Sequence, residues 1–334
     1  VNANLILSMG DLVENVTGGM GADILSGNSL DNVLLGGPGN DTLEGRGGNE
    51  TYAFTSDAAG EMETIIEAVG GGVDTLDFSG MPVPVSINLA ITGNQLVTGN
   101  LTLQVNDGIG GEGEIENIFG TDFDDTIRGN SFNNFLFGFA GDDILDGKSG
   151  DDIVVGGEGN DDLDGGAGAN DAFGVIGNTD FVLTDSAVTQ SDGETDTLDD
   201  FEFAFLVGGS GPNRFDVSGW TGDGDISGED GSSPQIDTVI AAVDADFTLT
   251  DGSLLVQPVV GGPSTWALNG IDAAELTGGE SANQIDASAF TGASILAGGL
   301  GGDTIKGGEG NDLIQGGPGA DLLSGGLGND GIFG

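Results

Sequence analysis

Gly307-Gly308-Glu309-Gly310-Asn311-Asp312-Leu313-Ile314-Gln315 is one of three clean copies of a nonapeptide that recurs in register along this chain. The other two are Gly36-Gly37-Pro38-Gly39-Asn40-Asp41-Thr42-Leu43-Glu44 and Gly156-Gly157-Glu158-Gly159-Asn160-Asp161-Asp162-Leu163-Asp164. Opening glycines fall nine residues apart at Gly18, Gly27, Gly36 and Gly45. The spacing returns from Gly120 through Gly129, Gly138, Gly147 and Gly156 to Gly165, and from Gly298 through Gly307, Gly316 and Gly325 to Gly334. A fixed period outranks local propensity, because such units bury an apolar side only by stacking on one another.

Each place in the unit has its own physical task. Glycines tolerate backbone angles that a side chain resists, and they let carbonyl oxygens crowd around one point. The Asp at the sixth place adds a carboxylate there. Donors that are all oxygen suit a hard cation of flexible coordination, Ca²⁺ ahead of Mg²⁺ or Zn²⁺. The last three residues alternate as a short strand does, with the eighth pointing inward. Those eighth places hold Leu25, Leu34, Leu43 and Tyr52, then Ile127, Leu136, Leu145, Val154, Leu163 and Ala172, then Ile305, Ile314, Leu323 and Ile332. No charged side chain enters that column. Turn formation alone also favours Gly and Asp, but it does not require Asp at one phase on successive units.

This pattern resembles the RTX (repeat-in-toxin, hemolysin-type) calcium-binding family, whose unit is G-G-x-G-x-D-x-U-x with U a large apolar residue. The resemblance implies an all-β fold, a right-handed parallel β-roll or β-solenoid in which two nonapeptides make one turn. Calcium would sit between GGxGxD loops one turn apart, and degenerate rungs without calcium would be interleaved. With two units per turn, loops eighteen residues apart share a side. The expected metal ligands of the first array are then Gly18, Gly19, Gly21 and Asp23 with Gly36, Gly39 and Asp41. In the second array they are Asp125, Gly138, Gly141 and Asp143 with Gly156, Gly159 and Asp161, and Asp152 on the other side. In the third, Gly298, Gly301 and Asp303 face Gly316, Gly319 and Asp321, while Gly307, Gly310 and Asp312 face Gly325, Gly328 and Asp330. Asn32, Asn134 and Asn170 fall on the opposite sides, where each lost charge should leave a weaker or empty site. Glu50 shares the side of Asn32.

The net charge is -51, with 56 acidic and five basic side chains among 334 residues. That excludes non-specific nucleic-acid binding and attraction to an anionic membrane. Stacked carboxylates repel unless neutralised, and cations that neutralise them contribute their binding energy to folding. The arrays should therefore be disordered without calcium and ordered with it. An apolar content of 37 % and a regular inward column argue against a disordered acidic tail. Without cysteine there is no disulfide framework and no thiolate metal site. No stretch approaches a membrane span. Leu5-Ile6-Leu7 is too short for a signal-peptide core. The chain starts at Val1 and stops at Gly334 where another repeat would open, so it reads as a segment or processed piece of a larger protein.

The expected organisation is a first array over 1–53, a β-rich insert continuing the solenoid over 54–119, a second array over 120–173, an insert with two related repeats over 174–297, and a third array over 298–334. In the second insert, residues 208–222 match 278–292, placing Asn213 and Asn283 where an array has Asp. Alternating runs such as Val83–Leu89, Leu101–Val105 and Asp246–Thr250 predict half-buried strands. Met62–Val69 is the single candidate for a short helix. No Asn-Gly or Asp-Gly hairpin bracketed by alternating strands stands out in the inserts. Trp220 and Trp266 read as core, with sugar stacking as their alternative.

Histidine is absent as well as cysteine, which removes His-dependent triads, thiol nucleophiles and His-ligated zinc. Asp223–Gly228 imitates the start of an EF-hand loop, but Pro234 stands where a bidentate acid is needed. The chain is accordingly expected not to be an enzyme. It reads as a calcium-dependent structural module of a secreted or cell-surface bacterial protein: an adhesin stalk, surface-layer component or extracellular filament subunit. Its partners would be several Ca²⁺ ions, neighbouring repeats or copies of itself, and cell-surface polysaccharide, with no membrane insertion. The resemblance implies type I secretion as an unfolded chain. The alternative is a calcium-binding appendage of a secreted hydrolase whose catalytic domain lies outside these residues.

Overall fold

Parallel pairing at a constant step of eighteen residues organises the arrays. A computed structural model describes residues 6–8, 14–55, 60–67, 72–106, 115–228 and 235–334. Strand Val33–Leu35 lies parallel between Asn15–Thr17 and Thr51–Ala53, with Leu34 opposite Val16 and Tyr52. The described residues contain strands and turns and no helix, so none offers a helix long and apolar enough to cross a membrane. The chain divides into two units, Val1–Phe173 and Gly174–Gly334.

In the first unit, one ladder runs through Thr51–Ala53, Thr75–Asp77, Asn117–Phe119, Phe135–Ala140 and Ile153–Glu158, every pair parallel. Residues between the first two arrays therefore add rungs to the same ladder. Ile24–Ser26, Thr42–Glu44, Glu61–Ile66 and Leu101–Asn106 form a second parallel ladder. Ser86–Asn88, Thr126–Arg128, Ile144–Asp146 and Asp162–Asp164 form a third.

In the second unit, Arg214–Gly219, Thr238–Ala242, Ala273–Thr277, Ala293–Ala297, Leu313–Gln315 and Gly331–Phe333 make one parallel ladder. A second contains Gln284–Ala289, Thr304–Lys306 and Leu322–Ser324. Antiparallel meanders interrupt the pattern. Ala245–Thr250, Ser253–Pro258 and Ser264–Asn269 fold back on one another, and their outer members pair in parallel with Gln284–Ala289 and Asp223–Ser227. Phe181–Thr184, Ala187–Gln190 and Thr195–Asp199 form another meander.

Several expectations change here. The candidate helix is a strand, Glu61–Ile66, with Glu61, Glu63 and Ile65 buried and the residues between them less so. Its period is two, and the inward acids disguised it; Ala68 and Val69 lie outside the described residues. An Asp-Gly hairpin does exist. Asp251-Gly252 connects the paired Thr250 and Ser253, between alternating runs that bury Phe247, Leu249, Leu254 and Val256. The EF-hand-like stretch is strand Asp223–Ser227, and Pro234 lies outside the described residues. Three side chains hold the left-handed backbone expected of glycine at the second place of the unit: Arg46, Phe139 and Lys148, at φ 79–83°. Each costs roughly 1–2 kcal/mol.

The eighth-place column is the core. Leu25, Leu34, Tyr52, Ile127, Leu136, Leu145, Val154, Ile305 and Ile314 are all 0 % exposed. Ile332, on the last rung, remains 46 % exposed. In the second array the column slips by one residue. Val154 stands opposite Phe173 rather than Ala172, so the rung step becomes nineteen.

Removing a fully enclosed branched side chain costs about 2–5 kcal/mol, from lost transfer energy and the cavity left behind. In the calcium-loaded chain Leu145→Ala should therefore lower unfolding stability by an amount in that range, and Ile332→Ala by less than about 1 kcal/mol. Denaturant titration with equal losses for the two would contradict this placement of the core.

Candidate metal centres

A sixth-place carboxylate reaches across one turn. Its Oδ1 accepts the backbone N–H of the sixth-place residue on the preceding rung. Asp41 takes the N–H of Asp23 at 2.7 Å, Asp143 that of Asp125 at 2.7 Å, and Asp161 that of Asp143 at 2.9 Å. Asp321 does the same for Asp303 at 3.0 Å, and Asp330 for Asp312 at 3.1 Å. The chain reversal at each corner thus pins a carboxylate against main chain. Asp23, Asp41, Asp125, Asp143, Asp152, Asp161, Asp303 and Asp312 are at most 3 % exposed. Asp321 and Asp330, near the chain end, are half-buried.

Opening glycines make this approach possible. A Cβ at Gly138 would strike the carboxylate of Asp143 and the carbonyl of Gly156 one turn on. Gly18, Gly36, Gly156, Gly298, Gly307, Gly316 and Gly325 stand in the same relation to their own sixth-place Asp. Fourth-place glycines bring successive loops together: Gly39 meets the carbonyl of Gly21, Gly159 that of Gly141, Gly319 that of Gly301 and Gly328 that of Gly310. Gly141 also carries φ 119°, which a side chain would strain. Each corner therefore gathers carbonyls and a carboxylate from stacked loops.

The second oxygen shows what a corner lacks. Oδ2 of Asp41, Asp143, Asp152 and Asp303 is buried without a hydrogen-bond partner. A buried carboxylate oxygen in that condition is costly, and a cation offers what it needs. Asparagine corners resolve the same problem internally. Asn134 Nδ2 donates to the carbonyl of Glu116 at 2.9 Å, and Asn213 Nδ2 to that of Thr179 at 2.9 Å. Asn283 Nδ2 donates to Asp244 at 3.1 Å. The amide takes an acceptor that a cation would otherwise take. Oxygen donors with orphaned charge at Asp41, Asp143, Asp152 and Asp303 fit Ca²⁺. At Asp23, Asp125 and Asp312 the second oxygen already accepts the N–H of Gly19, Thr121 and Gly308, and the Asn corners carry no such charge.

Protein cations do not reach these corners. The five basic side chains are 42–51 % exposed and pair with surface acids: Arg46 with Glu44, Arg128 and Lys148 with Asp146, Arg214 with Glu275, and Lys306 with Asp286. Burial, helped by the neighbouring charges of Asp125 and Asp161, pushes Asp143 up to about 8. Burial and Asp171 push Asp152 to about 6.

One predicted side is more acidic than expected. The slip in the second array places Asp171, not Asn170, in the corner; Asp171 Oδ1 accepts the N–H of Asp152 at 2.7 Å, while Asn170 is exposed. Sequence reading also missed Glu63, which stands one turn from Asp41 in the register that pairs Thr42 with Thr64. Both Glu63 carboxylate oxygens are buried and unpartnered, and burial with the charge of Asp41 pushes it to about 8. Asp74 stands in the same relation to Glu50. The available signal was acids at alternate positions in a run of otherwise apolar, inward residues. Trp220 and Trp266 are 6 % and 1 % exposed, so neither ring lies open as a platform.

A family model for the RTX calcium-binding nonapeptide repeat matches in four copies, at residues 16–52, 119–154, 146–179 and 297–332. No curated protein matches. Among solved structures, the extracellular lipase LipA from Serratia marcescens is 21 % identical, with a TM-score of 0.18 and 80 % of this chain covered. This chain spans 40 % of that lipase's length. A TM-score so low carries nothing about fold or activity.

The metal-free corners have a defined pH response. Asp143 titrates near 4 when unfolded and at about 8 when folded. Its contribution is present below the unfolded value and lost as pH rises through the folded one. In chelator, β-sheet circular dichroism should persist near pH 4 and decline toward pH 8–9, while millimolar calcium holds it at the upper end. A signal at pH 8.5 that chelator leaves unchanged would contradict this.

Proposed function

From a chain that carries the RTX calcium-binding nonapeptide repeat in four copies, we propose a calcium-dependent structural module of a secreted or cell-surface bacterial protein. It has no catalytic role of its own and serves as part of an adhesin stalk, surface layer or extracellular filament. The observation that carries this reading is the set of buried Asp oxygens without partners at stacked corners. Bound calcium supplies the positive charge those corners lack. The chain's own residues do the rest. Asp carboxylates lock one rung to the next, glycines let the loops close, and the inward column seals the interior.

This makes rigidity a function of ion supply. In a low-calcium compartment the ionised corners oppose stacking, which keeps the chain extended and suited to export by a type I route. Outside the cell, extracellular modules bind calcium with dissociation constants of order 10⁻⁴–10⁻³ M, and the coil would order there. Stacking on neighbouring repeats or on a second copy is the mode of assembly this reading carries, since repeat units bury their edges only against one another.

Asp143→Ala should weaken calcium binding at its corner by tenfold or more, because an anionic ligand stacked on both sides is lost. Asn134→Ala should change calcium affinity by less than about twofold, because its amide already satisfies a carbonyl. Equal losses by titration calorimetry would reject the assignment of ions to the Asp corners.

A further inference from the structure

We propose that Glu50, Glu67 and Asp74 form a separate cation site, built from side chains inside the coil rather than from loop carbonyls, that takes a hard divalent ion of calcium's size. One carboxylate oxygen from each lies within 4.8 Å of the other two. Their exposures are 0 %, 2 % and 0 %. Both oxygens of Glu50 and Oδ2 of Asp74 are buried with no hydrogen-bond partner. The other Asp74 oxygen is committed to the backbone N–H of Glu50 at 2.7 Å. Glu50 therefore points two unsatisfied acceptors into a space already lined by two further carboxylates.

The geometry differs from a nonapeptide corner. Asp74 and Glu50 are stacked as sixth-place residues, but the next rung brings Glu67 where the repeat would bring an opening glycine. The N–H of Gly45 donates to the carbonyl of Ile66 at 3.2 Å. The space before Gly45 is filled by Glu67, Glu50 and the hydroxyl of Tyr52. The Tyr52 hydroxyl donates to Glu67, which orients that carboxylate as a neighbouring donor orients a metal ligand. Arg46, adjacent in sequence, is 44 % exposed and pairs with Glu44.

Ligand chemistry selects the ion. Three carboxylates and no nitrogen or sulfur donor favour a hard cation. Calcium–oxygen bonds of about 2.3–2.6 Å place ligands on opposite sides of the ion about 5 Å apart, and closer otherwise. The observed separations meet that limit without rearrangement. None of its three ligands is the Asp of a GGxGxD loop, so in the folded chain its occupancy is read separately from theirs.

Tyr52 is the single tyrosine of the chain, so it reports on this site. Tb³⁺ serves as the probe, and the readout is terbium emission under tyrosine excitation in the intact chain, taken as wild type minus Tyr52→Phe. We expect a saturable difference signal, and at least a tenfold loss of terbium affinity in that signal for Glu67→Gln and Glu50→Gln. Circular dichroism at millimolar calcium checks that each variant folds. A wild-type crystal soaked in Tb³⁺ decides independently of the variants, with an anomalous peak expected among the three carboxylates. No peak there, no Tyr52-dependent emission, or folded Gln variants with unchanged affinity would overturn the proposal. A folded chain whose loop corners hold no ion would sink the loop assignment while leaving this peak and the difference signal in place.

Discussion

The hydrogen bond from a sixth-place backbone N–H to the carboxylate one turn on is the contact from which the arrays follow. It recurs from Asp23 to Asp41, from Asp125 through Asp143 to Asp161, and from Asp303 to Asp321. The bond fixes the step between rungs. It also commits one carboxylate oxygen to the main chain and, at Asp41 and Asp143, leaves the other buried beside the opening glycine without a partner. The same contact that aligns the rungs therefore concentrates charge at the corners. At an effective dielectric near 20, two unit charges about 5 Å apart repel by roughly 3 kcal/mol. A series of such corners outweighs the few surface ion pairs, each worth at most about 1 kcal/mol. Positive charge from solution is the remaining remedy.

Packing and electrostatics are coupled through this register. The inward column, Leu25 and Leu43 on one ladder and Leu34 and Tyr52 on another, closes only when successive rungs are in phase. Corners that repel would shift that phase and open the column. Asparagine rungs show the alternative. Asn134 and Asn213 satisfy neighbouring carbonyls with their own amides, so those turns close without an ion. The chain thus mixes turns that demand a cation with turns that do not. Its meanders, such as Ala245–Asn269, are inserted within a ladder: their outer strands pair in parallel with the rungs on either side, and the pairings inside them are antiparallel.

Much of this was legible in the residues. Nine-residue spacing gave the rung step, and the eighth-place column gave the core. What stayed hidden has a physical reason in each case. The slip at Asp171 depends on Phe173 filling the column better than Ala172, a packing choice that periodicity does not register. Strand Glu61–Ile66 looked helical because buried Glu61 and Glu63 broke the expected apolar alternation. The Asp251-Gly252 turn was obscured because its hairpin belongs to a rung and not to a domain of its own. Glu67 lies far in sequence from Glu50 within an apparently irregular stretch, and only stacking brings the two together.

The most direct measurement is a crystal structure grown in millimolar calcium, with metal density assigned from anomalous scattering corner by corner. The account predicts ions at the corners where Oδ2 of Asp41, Asp143 and Asp303 stands unpartnered, and none where Asn134 donates to Glu116. Bare aspartate corners in a folded coil, or ions distributed without regard to Asp and Asn, would contradict it.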